Sequence, residues 1–142
     1  MNTLLYKRAL ELATYRDRER PREESMPPMT DVEGFIDFWL QPTLDAFRFE
    51  LKQAGYVLDD ADRQFLPPEY FLEYAIAGRG GRHLLWLQGQ LSGSAALAIF
   101  PMARGSRQFG ERGGLRGDLQ DGTNRHALLA ELVLLTAQAL PE

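Results

Sequence analysis

Arginine forks and glycine backbone amides both suit bound anions or carboxylate-bearing partners. Two segments of this chain concentrate them. The first reads Gly78-Arg79-Gly80-Gly81-Arg82-His83, and the second runs from Arg104 to Gly117 as RGSRQFGERGGLRG. Between them, residues 84–103 contain no Asp, Glu, Lys or Arg. A hairpin turn and the segment leaving a later strand can lie at one end of a meander. Arg79, Arg82, Arg104, Arg107, Arg112 and Arg116 therefore form the candidate anion- or partner-binding set. Phe109 joins them, because Phe109 and Glu111 suit a protein contact better than a phosphate. The competing reading is a solvated turn plus an unfolded loop, since charged Gly-rich segments bury little apolar surface.

No other constellation carries chemistry as a pattern. The chain has no cysteine, which removes disulfides, thiolate metal sites and cysteine nucleophiles together. His83 and His126 are the two histidines and form neither HxxxH nor HExxH. Asp59-Asp60-Ala61-Asp62 lacks the glycine and distant glutamate of a calcium loop, so a solvated acidic turn is the expectation. Gln90-Leu91-Ser92-Gly93-Ser94 is not a nucleophile elbow, and no GxxxxGK[ST] phosphate loop occurs. The expectation is thus no catalytic residue, no metal and no cofactor. An enzyme would have to assemble its site from scattered groups such as Glu73, Asp118, Asp121 and His126.

The elements that must position these residues follow from periodicity. Leu5, Ala9 and Leu12 recur at helical spacing from Thr3 to about Arg20, where Pro21 ends the helix. A sign-alternating segment and Pro27-Pro28 follow, which predicts an N-terminal helix and charged linker over 1–24 and one domain over 30–142. Thr30 with Glu33 resembles a capping box. Val32, Phe35, Ile36 and Trp39 form a stripe, continued after Pro42 by Leu44, Phe47 and Leu51 to Gly55. Phe38 and Phe49 fall beside that stripe, an apolar excess that another helix or chain could cover.

Tyr56-Val57-Leu58 reads as a short strand. Tyr70, Leu72, Tyr74 and Ile76 alternate as a half-buried strand. His83 to Gln90 and Ala95 to Phe100 are the next two, around Ser92-Gly93-Ser94. Gln88, Gln90 and the glycines interrupt the uncharged run and exclude a membrane span. Residues 102–122 read as a long loop with a short strand near Leu115 to Leu119. Thr123 or Asn124 caps a last helix. The predicted fold is α+β: a two-layer sandwich of N-terminal helices, a three- to four-stranded antiparallel meander and a C-terminal helix.

Composition bounds the function. At 142 residues with 44% hydrophobic and 25% charged residues, the chain matches an ordinary globular domain. Residues 1–77 carry nine basic and fifteen acidic side chains, whereas 78–142 carry seven and five. The acidic half opposes general nucleic-acid coating. The N-terminus has no signal-peptide pattern, and the expected compartment is the cytoplasm. The leading expectation is a small non-catalytic interaction domain (subunit, adaptor, inhibitor or immunity-type factor) whose partner is another protein or a second copy. The alternatives are an anion or nucleic-acid binding module using the Arg/Gly loops, and an enzyme with a dispersed site.

Overall fold

The helix α1, Thr3–Arg18, begins where Asn2 caps it: Leu5 N donates to Asn2 Oδ1 at 3.0 Å. These positions come from a computed structural model, which describes residues 1–18, 30–79, 81–91, 93–101 and 111–140. Asn2 N also donates to Ala137 O at 2.7 Å, tying the start of α1 to the end of the last helix. Leu5, Ala9 and Leu12 are buried in the same core as the rest of the chain. Helix α1 thus packs on the core of the 30–142 region.

The second helical region is three pieces in one rod. Helix α2, Val32–Phe35, is capped by Asp31, whose side chain accepts from Gly34 N at 2.9 Å. The cap is thus Asp31 and not Thr30. A wide π turn follows over Ile36–Leu40, and α3 runs Gln41–Gln53. Pro42 sits in the first turn of α3, where its missing N–H costs little. Phe35, Ile36, Leu40, Leu44, Phe47 and Leu51 are fully buried, while Phe38 and Phe49 stay exposed, as their offset from the stripe requires.

The strands are β1 Val57–Leu66, β2 Glu69–Gly78, β3 Gly81–Gln90, β4 Ala95–Pro101 and β5 Glu111–Leu115. They pair in sequence order, every neighbour antiparallel. Five strands among the described residues exceed the expected three to four. Two differences account for this. Asp59 to Asp62 lie inside β1 and not in a loop, with a register shift between Asp60 and Asp62. An edge strand tolerates them because Arg48 donates to Asp60 and to Leu58 O from the helix layer. The short strand expected near Leu115 to Leu119 lies earlier, at 111–115.

The last helix, α4, spans Gly122–Ala139 and is capped by Asp121, not by Thr123 or Asn124. It is buried nearly all round because it packs against α1, α3, β4 and β5. Helix α3 covers the β1 side of the same sheet face. The inward face of the sheet carries Tyr70, Leu72, Tyr74 and Ile76, with Leu85, Leu87, Leu97 and Ile99 beside them. No described helix is long and apolar enough to cross a membrane.

Candidate functional site

Strand residues alternate between the two faces, so the outer face, away from the helices, is fixed by the register. It carries Phe71, Ala75 and Ala77 from β2, Leu84 and Trp86 from β3, and Ala98 and Phe100 from β4. None of these belongs to the core formed with the helices. They form a second apolar group. Trp86 lies at its centre, edge-on to Phe71 at 5.3 Å and to Phe100 at 5.0 Å between ring centroids. Such edge-to-face contacts suit the ring quadrupoles. Ala75, Leu84 and Phe100 are buried, whereas Phe71, Trp86 and Ala98 are half-buried. On β1 the same face exposes Val57 and Leu66. Trp86 Nε1 donates to Glu73 Oε1 at 3.0 Å, which fixes the indole across the β2–β3 pair.

The sequence signal for this face was the run Leu84-Leu85-Trp86-Leu87. A strand apolar on both sides is one covered on both sides. Alternation alone accounts for Leu85 and Leu87 and leaves Leu84 and Trp86 unexplained.

The arginine set is only partly gathered. Arg79 lies exposed in the β2–β3 turn and Arg82 exposed at the start of β3. Arg112 is exposed on β5, paired in register with Ala98, so it shares the outer face with Arg82 and Trp86. Arg116 follows Leu115, which pairs with Ala95 at the opposite end of β4 from Pro101. It therefore sits away from the β2–β3 turn. Arg104, Arg107 and Phe109 lie outside the described residues. Acidic groups share the outer face: Asp59 and Asp62 on β1, Glu69 and Glu73 on β2.

The dispersed enzymatic set does not converge. Glu73 is on the outer face, while Asp118, Asp121 and His126 surround the start of α4 on the inner side. Asp118 Oδ1 accepts from Gln120 N, Asp121 caps α4, and His126 Nε2 lies 3.1 Å from Leu12 O. Each is occupied in holding the chain. A cleft of about 340 Å³ opens beside them between Phe38, Trp39 and Arg125. Arg125 stacks 4.2 Å over the Trp39 ring and donates to Leu119 O and Gln120 O, a structural assignment. His83 is buried on the inner face, and desolvation holds its pKa below the ordinary value. No cluster of three or more potential metal ligands occurs among the described residues.

Searches against protein-family models, curated proteins and solved structures find no match to this chain.

Proposed function

We propose that this chain is a non-catalytic protein-interaction domain, a subunit, adaptor, inhibitor or immunity-type factor, working through the outer face of its sheet. The supporting observation is the second apolar group centred on Trp86, separate from the helix-side core. The half-exposed members of that group, Phe71, Ala77, Trp86 and Ala98, are rimmed by charge, as association surfaces are. Tryptophan at the centre of such a patch is the residue type that dominates interface energetics. Arg79, Arg82 and Arg112 stand at its rim, where charge sets partner choice and encounter rate more than affinity.

A photo-crosslinking residue at position 86 tests the reading in living cells, with Gln53 on the exposed side of α3 as the control. Discrete protein adducts are expected from position 86 and none from position 53. Adducts absent from both, or equal at both, would overturn it.

The anion or nucleic-acid reading draws on one observation, that Arg82 and Arg112 share a face with an accessible tryptophan on which a base could stack. Asp59, Asp62, Glu69 and Glu73 on the same face repel phosphates. Crosslinks from position 86 to oligonucleotide, falling steeply with salt, would favour that alternative over the protein partner.

A further inference from the structure

The partner's chemistry follows from how charge is laid across the outer face. One row of residues in register crosses all five strands. It reads Asp62, Glu73, Trp86, Ala98, Arg112. Acid stands on β1 and β2, the indole on β3, and base on β5. Neighbouring rows add acid on the first two strands, Asp59 on β1 and Glu69 on β2, while Arg82 stands on the central strand. A partner for this face needs base over β1–β2, an apolar centre, and acid over β5. The face itself has that pattern when turned over.

Resting on the interaction reading above, we propose that the outer face binds a second copy of this chain, through a two-fold axis lying in the interface along β3. β3 is the middle of the five described strands, so that axis places β1 of one copy over β5 of the other. Arg112 then faces Asp62 of the second copy, twice over. Trp86 meets its own counterpart at the centre, where isologous contacts converge on the axis. That axis opposes one like pair, Arg82 on Arg82 at the exposed start of β3, whereas an axis across the strands would set Arg112 on Arg112, Glu73 on Glu73 and Asp62 on Asp62, and like charges directly opposed are costly. The favoured axis also keeps the strands of the two sheets aligned, the usual geometry of stacked sheets about 10 Å apart.

The area is of the right scale. Strands about 4.8 Å apart and of five to ten residues, at about 3.3 Å per residue, give roughly 650 Å² of flat footprint per copy over β1 to β5, before side-chain relief is counted. Stable interfaces use about 800 Å² per partner. A nucleic acid or anionic membrane would lay its phosphates on Asp59, Asp62, Glu69 and Glu73, of which a second copy neutralises Asp62 through Arg112.

Sedimentation velocity on the intact chain at low salt tests the arrangement. The wild type is expected at about twice 16.1 kDa. Asp62 and Arg112 are both exposed, so Asp62→Arg and Arg112→Asp leave the fold intact, which circular dichroism checks. Each alone puts like charges together at both contacts and weakens self-association about tenfold or more. Mixing the two variants restores the dimer as a heterodimer, because both contacts regain opposite charges. Combining both changes in one chain restores it as well. A wild type that stays at single-chain mass up to 100 µM (on the order of a weak interface's Kd) overturns the two-fold. So does a mixture of single variants no tighter than either alone. A monomeric wild type whose position 86 still crosslinks to a different protein removes the second copy and leaves the interaction face standing. A monomer with no adduct at position 86 removes both.

Discussion

His83 shows how a single side chain is settled by its strand position. It falls on the inner face of β3, between Ile76 of β2 and Pro101 of β4 in register, and its Nδ1 finds no hydrogen-bond partner among the described residues. Burial disfavours the charged ring and lowers its pKa. In the unfolded chain the ring titrates near its ordinary 6.5, so at mildly acid pH the unfolded state binds the extra proton. The stability that this ring allows is therefore present above about pH 6.5 and is lost as pH falls through the lower folded value. His83→Leu removes this linkage. The difference in urea midpoint between His83→Leu and wild type is expected to grow in favour of the variant from pH 7.5 to pH 5. A difference independent of pH would show that the fold does not shift the ring's pKa. Gly89 makes a second point at this scale. It pairs with Tyr70, and a Cβ there would stand 2.5 Å from the phenol oxygen. The glycine serves space for that ring and not a turn.

Among the elements, α1 and α3 are joined by a half-buried ion pair. Arg8 reaches Glu50 with both Nε at 2.8 Å and Nη2 at 3.0 Å, and Glu50 is almost fully buried at 8% exposure. This fork geometry is the strong form of a charge-assisted bond and keeps the guanidinium firmly charged, its pKa raised first by the Glu50 hydrogen bond. Arg8→Ala leaves a buried carboxylate unpaired. The expected loss is about 1–3 kcal/mol, below that of a fully buried pair because Arg8 itself is 42% exposed. Chemical denaturation measures it. Arg8→Ala together with Glu50→Leu should recover most of the loss, since no unpaired charge then remains. Full cost in the double variant would mean that the arginine stem's packing, not the pair, carries the contact.

Across the whole molecule, α4 is the common neighbour. The sheet, α3 and α1 all pack on it, and it has no wet face to spare. Deleting residues 1–18 exposes that flank and strips Leu5 and Leu12 of their burial, about 2–3 kcal/mol for each leucine and a similar amount from α4. Domains of this size have about 5–15 kcal/mol in hand. The truncated chain is expected to lose its cooperative thermal transition, read by circular dichroism. A sharp transition within a few degrees of the full chain would show that α1 only leans on the surface. The same count of layers explains the outer face. Helices cover one side of the sheet, and the Trp86 side carries a separate apolar group.

The sequence by itself determined the elements whose signals are local. Leu5, Ala9 and Leu12 mark one helix stripe, and the alternation from Tyr70 to Ile76 marks β2. The Gly-rich turns separate β2, β3 and β4, since strands need period two and turns need glycine at positive φ, as at Gly81 and Gly93. It underestimated β1, because aspartates disfavour strands in isolation and only Arg48, delivered by α3, makes Asp60 welcome there. It placed the arginines by proximity along the chain, whereas register decided that Arg112 joins Arg82 on the outer face and that Arg116 follows the end of β5 far from the β2–β3 turn. The row from Asp62 to Arg112 spans fifty positions of sequence and is level across the sheet only because four successive pairings set it so. Local preference depends on a few neighbouring residues and is written in them. A surface that gathers one residue from each of five strands exists only once every register is fixed, and register is set by burial of the opposite face.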